Sequence, residues 1–300
     1  MSINKKKVLY ISYDGILEPL GNSQVLKYLE CLSEEFAITL ISFEKANEPM
    51  HAEDLLKMHE YCREKKISWR PKKYNQGLGA ISSLINILNI TFAPFLEMLA
   101  NKHHIIHIRS YMPGLGIPML KLFFNFKFIF DIRGFWADEK VDRLGWATSS
   151  KKYKFFKALE SSLFKKAHTV ITLTESSKSF IEKNFNKPSE QIKVIRTCVD
   201  FDEFNVNNRV KQSYNSNQDL IIGYLGSIDT AYNFNEFLRL VKNLDQRNLK
   251  IQLKILSKTT NEVVMGYLKN NELEHLHHEV LFLKHDELSN VITEFDFLGF

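Results

Sequence analysis

Short apolar runs alternate with longer segments of helical periodicity over the first two thirds of the chain. The first helical segment shows the period clearly, since Val25, Leu29 and Leu32 recur at spacings of four and three residues. Strands that alternate with helices are typical of βαβ units, a parallel sheet and right-handed crossovers. We predict strands at 8–12, 37–43, 67–70, 105–108, 127–131, 169–173 and 193–196, and helices near 23–35, 51–65, 80–100, 115–124, 150–166 and 175–184.

An Asn-, Ser- and Gln-rich stretch without periodicity interrupts this pattern. It predicts a linker at 206–218 between a domain of residues 1–205 and a second domain of residues 219–300. The pattern then restarts, so we predict two Rossmann-like, doubly wound parallel-sheet domains. Because the chain ends on an apolar run, we expect the second domain to be incomplete and the sequence to be a fragment. The elements predicted there are strands at 220–226, 251–256, 280–283 and 295–300, and helices at 234–244 and 263–269.

Composition narrows the class of protein. The chain is 44% hydrophobic and 25% charged, as in ordinary globular proteins. Its net charge of +5 is too mild to indicate nucleic acid, and it suits a protein that handles anionic nucleotides or approaches anionic lipid. Three widely spaced cysteines and the missing signal-peptide pattern favour a cytoplasmic location.

The most apolar stretch, Ile81 to Leu99, contains Asn86, Pro94 and Glu97. These residues argue against a transmembrane helix and favour a buried or a membrane-lying one. Two interpretations of the lysines stay open, a patch that docks at the inner face of a membrane or an ordinary solvated surface. The lysines concerned are at 5–7, 65–66, 72–73, 151–152 and 165–166.

The first strand–helix turn holds Gly15 and Gly21, and Asn22 or Ser23 is a suitable N-cap for the helix that follows. Such a turn directs backbone N–H groups at the crevice beyond the strand ends, where phosphate or sugar binds. The spacing is not G-x-G-x-x-G, so a plain connecting loop is an equal alternative. Gly21 and Asn22 are therefore candidate substrate-binding residues.

The segment 130–139 begins at the end of a predicted strand. It groups acidic residues, an arginine and aromatic residues around a glycine more closely than any other segment of the chain. Arg133 has the planar fork that suits phosphate or carboxylate, and Trp136 could stack on a sugar. Asp138 or Glu139 could hold acceptor hydroxyls or act as a base. We take Arg133, Asp131, Asp138 and Glu139 as candidate catalytic residues. A structural Arg–Asp pair with a capping acid is the alternative.

Other strand ends add candidate substrate-binding residues. His107 and Arg109 end one strand, and Glu175 follows another beside Ser176, which we predict to be the N-cap of the next helix. We expect no metal site, because the histidines at 275, 277 and 278 fit no common ligand spacing. The remaining candidates follow later strands: Arg196, Gly226 and Ser227.

At these residues the chain resembles the GT-B glycosyltransferases of the family 4 type. The resemblance is carried by 15–24, 107–110, 131–139, 170–175 and 194–204. It implies a retaining, metal-independent transfer from a nucleotide sugar without a cofactor, with acceptor bound mainly by the first domain and donor by the second.

The chain departs from the family pattern at three places. Arg-Thr-Cys at 196–198 replaces the usual Pro-Asn-Gly, Arg133 stands near where members often have a histidine, and 227–233 lacks the basic residue that grips the diphosphate. The family's paired glutamates should lie beyond residue 300.

The predicted function is hexosyl transfer from a nucleotide sugar to a glycan or a lipid-linked acceptor in surface polysaccharide synthesis. The partners expected are the nucleotide sugar, that acceptor and a peripheral membrane contact, with no nucleic acid. Two alternatives remain, a nucleotide-sugar epimerase and a non-catalytic protein that binds a glycan or a partner.

Overall fold

The computed structural model describes residues 5–45, 52–77, 79–199, 219–228, 233–283 and 285–299. The chain divides into two compact units, Met1–Thr197 and Cys198–Phe300. The predicted linker at 206–218 lies outside the described residues.

The first unit is built on a parallel sheet of seven strands in the order β3-β2-β1-β4-β5-β6-β7. The chain moves outward from β1 to β3 and then returns to β4 on the other side of β1, so β1 and β4 flank the point where the strand order reverses. Ligands bind beyond the strand ends at such a point in open α/β sheets. The strands are β1 Lys7–Ser12, β2 Ala37–Lys45, β3 Ile67–Tyr74, β4 Ile105–Arg109, β5 Lys127–Asp131, β6 Thr169–Thr172 and β7 Ile192–Val194.

Helices lie on both faces of this sheet, as predicted for a doubly wound fold. One of them, at 136–144, is absent from the helices that the sequence predicts. The helices are α1 Pro19–Gly21, α2 Lys27–Leu32, α3 Ala52–Glu64, α4 Ala80–Ala100, α5 Ile117–Phe123, α6 Trp136–Leu144, α7 Lys151–Lys166 and α8 Glu175–Phe185. A π-helical turn, 22–26, joins α1 to α2.

Each face of the sheet has its own apolar core. On one face, Leu26 and Leu29 from the first helical segment pack with Trp69 of β3. On the other, Ile90 of α4 and Phe164 of α7 belong to the cluster around the buried strand residues. Burial on both faces explains why the strands read as short, nearly continuous apolar runs.

The first helical segment begins earlier than the sequence predicts. Glu18 is the extended residue before it, Pro19 occupies the first position, and the Asn22 amide already donates to the Glu18 carbonyl at 2.9 Å. Proline suits that position because its missing N–H would be unpaired there anyway. The prediction of Asn22 or Ser23 as N-cap was therefore wrong.

The second unit holds a parallel sheet of four strands in the order β10-β9-β8-β11. Phe295 lies against Gly223, where a side chain would collide with the ring. A helix at 285–292 was not predicted. The elements are β8 Leu220–Leu225, α9 Phe234–Asp245, β9 Ile251–Leu256, α10 Asn261–Asn270, β10 His277–Leu281, α11 His285–Ile292 and β11 Phe297–Gly299.

The N-cap of α8 is two residues before the predicted one. Thr174 Oγ1 accepts the Ser177 amide at 3.0 Å, whereas Ser176 lies inside the helix. The threonine has the extended backbone that an N-cap needs. The sequence pattern is compatible with either hydroxyl as the N-cap. Only the backbone conformation at the end of β6 distinguishes the two.

Removing each of the two hydroxyls in turn tests this assignment. We expect Thr174→Ala to lower the free energy of unfolding by about 1 kcal/mol, because one amide of the first turn loses its acceptor. Ser176→Ala is the matched control and should change it by less than about 0.5 kcal/mol. Denaturant titrations of both variants provide the comparison, and equal losses would contradict the assignment.

Candidate active site

Charged and polar side chains meet at the carboxyl ends of β1, β4 and β5. The register pairs Ser12 with Arg109 and Arg109 with Asp131, so the three strand ends lie side by side. This is the reversal point of the sheet, which is where the fold predicts a ligand.

Asp131 is the centre of this group, with only 5% of its surface exposed. The Nη1 atoms of Arg109 and Arg133 each lie 3.8 Å from its carboxylate. Within the described residues, Asp131 Oδ1 has no hydrogen-bond partner. Burial raises the pKa of Asp131, and the two guanidinium groups oppose that rise.

Gln24 joins the two arginines. Its Oε1 accepts from Arg109 Nη2 at 2.7 Å and from Arg133 Nη2 at 3.1 Å. Arg133 also donates to Thr197 Oγ1 at 2.9 Å, and Arg109 Nε lies 3.7 Å from Asp14. The guanidinium planes are thus held from several sides, although Arg133 keeps 20% of its side chain exposed.

Sequence reasoning named the stretch that contains Gln24 but gave that residue no role. Gln24 lies in the π-helical turn at 22–26, an irregularity that frequently marks functional sites. Its partners are far away along the chain, so the local sequence carries no sign of the contact.

His107 lies two residues before Arg109, on the same face of β4, and its Nε2 is 4.0 Å from Asp131 Oδ2. The ring packs on that of Tyr10, with centroids 4.4 Å apart. Burial lowers the pKa of His107 to about 3, and the charge of Arg109 acts in the same direction. The imidazole is therefore neutral at ordinary pH and can exchange hydrogen bonds but supplies no positive charge.

Ser110, the next residue on the chain after Arg109, has a left-handed backbone with a φ of 68°. Its amide donates to the Asp131 carbonyl at 2.8 Å, which ties the end of β4 to β5. Non-glycine residues in this conformation are uncommon and cluster at functional sites. The strained backbone of Ser110 thus fixes the point at which the chain leaves β4, directly after Arg109.

The first strand–helix turn already holds a carboxylate. Glu44 of β2 is 1% exposed, and it accepts the Ile16 and Leu17 amides, each at 3.1 Å. Gly21 packs so closely on the Gly15 carbonyl that a side chain would not fit. These contacts favour a structural loop over a phosphate site, the alternative that the sequence left open.

Asp138 and Glu139 have contacts away from Asp131. Asp138 accepts from Tyr153 Oη at 2.7 Å and from Lys157 Nζ at 3.0 Å. Lys157 also pairs with the fully buried Glu160, so this network connects α6 to α7. Glu139 lies against Gly134, where a β-carbon would collide with its carboxylate.

The other predicted residues are dispersed. Trp136 packs against Phe156, with ring centroids 4.5 Å apart. Glu175 is an exposed first residue of α8, and the carbonyl of exposed Arg196 accepts from Tyr28 Oη at 3.3 Å. Gly226 and Ser227 follow β8 in the second unit, where Tyr224 Oη donates to the Ser227 carbonyl at 2.8 Å.

The sequence pattern of Glycosyltransferase Family 4 matches residues 30–203, more than half of the 300-residue chain. The chain belongs to glycosyltransferase family 4. The resemblance seen in the sequence is thereby confirmed. The matched span covers the strands that carry His107, Arg109 and Asp131. No curated protein matches the chain at a significant level.

Solved structures with a similar fold include glycosyltransferases. Sucrose-phosphate synthase from Thermosynechococcus elongatus aligns with a TM-score of 0.69 and 12% identity over 98% of this chain and 75% of that one. A glycosyltransferase from Rickettsia africae aligns with a TM-score of 0.64 and 16% identity over 99% and 73% of the two chains. The GT-B fold prediction is therefore confirmed.

An epimerase shares the fold as well. The UDP-GlcNAc 2-epimerase of Neisseria meningitidis, solved with UDP-GlcNAc bound, aligns with a TM-score of 0.56 and 13% identity over 97% of this chain and 76% of that one. At such identities a likeness establishes fold alone, so the site residues must carry any finer functional argument.

The buried imidazole predicts a pH dependence of stability. Because the folded pKa of His107 is about 3, below the usual 6.5, the unfolded chain binds more protons between these values. The contribution of neutral His107 to folding is therefore lost as the pH falls below about 6.5. Relative to His107→Gln, the wild type should lose about 2 kcal/mol more unfolding free energy between pH 7 and pH 5.

Denaturant titrations at the two pH values measure this difference. His277→Gln, at an exposed position of β10, is the control for loss of a histidine and should keep the wild-type pH dependence. A wild-type pH dependence in His107→Gln as well would mean that this imidazole titrates normally in the folded protein.

Proposed function

We propose that the protein transfers a hexosyl unit from a nucleotide sugar to a glycan or a lipid-linked acceptor, with retention and without a metal. We assign it to surface polysaccharide synthesis in the cytoplasm, where a lipid-linked acceptor would bring it to the inner face of the membrane. The observation that carries the proposal is the pair Arg109 and Arg133 at the sheet reversal point of a family 4 glycosyltransferase.

Transfer of a sugar leaves a nucleoside diphosphate, on which negative charge develops in the transition state. Fixed guanidinium groups stabilise such charge without reorganising at the moment of reaction. Arg133 is the more exposed of the two arginines, with 20% of its side chain accessible against 2% for Arg109. Arg133 is therefore our choice for the side chain that meets the anionic part of the substrate.

The surrounding residues position that arginine. Asp131 and Gln24 both contact Arg133 and Arg109, which fixes the orientation of two long side chains. Neutral His107 lies beside them, and its buried Nε2 has no hydrogen-bond partner among the described residues. We assign Asp131 a positioning role, since its carboxylate is enclosed by cationic groups.

Nucleotide-sugar epimerisation is the second candidate function, because epimerases share the fold. An epimerase changes the donor without an acceptor, so product analysis with donor alone separates it from a transferase. Nucleotide binding separates both from a protein that only binds a glycan. The direct experiment incubates the purified protein with a panel of nucleotide sugars, with and without glycan or lipid-linked acceptors, and follows release of nucleoside diphosphate.

Removing the partly exposed guanidinium tests the assignment of Arg133. We expect Arg133→Ala to lower kcat/KM about 100-fold, the usual cost of losing one preorganised charge or donor for the leaving group. The matched control is Arg143→Ala on the exposed side of α6, which should keep kcat/KM within twofold or so. Transfer assays on both variants, with melting curves to check folding, give the answer. Full activity in Arg133→Ala would remove this residue from the mechanism.

A further inference from the structure

Helix α4 buries polar residues and exposes large apolar ones, unlike an ordinary surface helix. The residues that it buries recur every four positions and include two polar ones, Ser82 and Asn86. Asn86 fits there because its amide exchanges two 2.9 Å hydrogen bonds with the backbone of Asn75. The rest of the buried stripe is Ile90, Pro94 and Met98.

The outward side of α4 is made of large apolar side chains, each between 38% and 62% exposed. The helix carries one charged residue, Glu97, which is 12% exposed and pairs with His103 at 3.2 Å. A helix that faces water normally shows the opposite arrangement. The exposed apolar residues are Ile81, Leu84, Ile85, Ile87, Leu88, Phe92, Leu96 and Leu99.

The apolar surface continues onto α5. Phe95 of α4 meets Phe123 edge to face, with ring centroids 5.5 Å apart. Phe123 is 66% exposed and its neighbour Leu122 is 81% exposed. We call this surface, formed by the outward residues of α4 with Leu122 and Phe123, the α4–α5 face. Contiguous exposed apolar surface of this kind marks a contact with a membrane or another protein.

Basic residues border the α4–α5 face. Arg70 of β3 lies 3.9 Å from Glu97, and Asn75 just beyond the strand bonds to Asn86, so β3 runs along α4. Lys72 stands between those two contacts on the same face of β3 as Arg70, and Lys102 follows the end of the helix. A large apolar face with a cationic border is the arrangement found in elements that lie in a lipid interface.

We propose that the α4–α5 face inserts into one leaflet of a phospholipid bilayer, with α4 lying parallel to the membrane plane. Within the described residues α4 is long and apolar enough to cross a membrane. However, Ile90 and Met98 are 0% and 3% exposed in the core of the first unit, and crossing would withdraw them from it. The proposal rests on this surface alone and holds whether or not the protein transfers sugar.

Vesicle binding tests the face. The full chain is sedimented with phosphatidylcholine vesicles and with vesicles containing phosphatidylglycerol, for the wild type and Leu84→Ser/Leu88→Ser. We expect binding to both, stronger with the anionic lipid, and at least tenfold weaker binding by the double variant. The matched control, Leu32→Ser/Leu56→Ser, alters residues that are 43% and 64% exposed on α2 and α3, across the sheet, and should bind within about twofold of wild type.

A depth measurement distinguishes lying from crossing. Leu84 and Leu96 are about 18 Å apart along the helix axis. Leu84→Trp and Leu96→Trp should be quenched equally by lipids brominated at one chain position, with the wild type measuring the background of Trp69, Trp136 and Trp146. Clearly unequal quenching would replace the proposal with a spanning helix.

Two other results would overturn the proposal. One is vesicle binding by Leu84→Ser/Leu88→Ser equal to that of the wild type, with melting curves showing that both are folded. The other is sedimentation of the wild type as a dimer that ignores vesicles and dissociates in the double variant, because the α4–α5 face would then bind a second copy of the chain.

Discussion

The arrangement of the first unit depends on one interaction, that of the buried Asp131 carboxylate with two guanidinium groups. A buried charge is costly unless paired, and each arginine lies 3.8 Å from it. Keeping these groups together requires β4 and β5 to end side by side, Ser110 to adopt its strained turn, and Gln24 to reach across from the helix after β1. The same arrangement leaves Arg133 partly exposed at the point of the sheet where a substrate would bind.

Most of the fold could be predicted from the sequence because burial on both faces gives each strand an apolar run. Lys127–Asp131 was predicted to the residue, and α4 likewise. Helix boundaries were harder, since Ser and Thr residues compete as caps and Pro19 starts its helix earlier than they suggest. Hydrophobicity located α4, yet only the structure shows that Ser82 and Asn86 face inward and the leucines outward.

The candidate site could be predicted in part. Strand ends pointed to His107, Arg109, Asp131 and Arg133, because parallel strands bring their carboxyl ends to one edge. The roles of their neighbours depend on contacts between distant parts of the chain. Glu44 accepts the amides of the first turn, Asp138 pairs with α7, and Gln24 joins Arg109 to Arg133. None of these contacts leaves a local pattern in the sequence.

The interaction between Asp131 and Arg109 can be measured directly with a double-mutant cycle of unfolding free energies. Asp131→Asn and Arg109→Gln should each cost about 3 kcal/mol, because each leaves a buried charge with one partner fewer. The double variant should cost at least about 1 kcal/mol less than the sum of the two, since neither charge then remains. Additivity within about 0.5 kcal/mol would show that the two groups do not depend on each other and would contradict this account of the site.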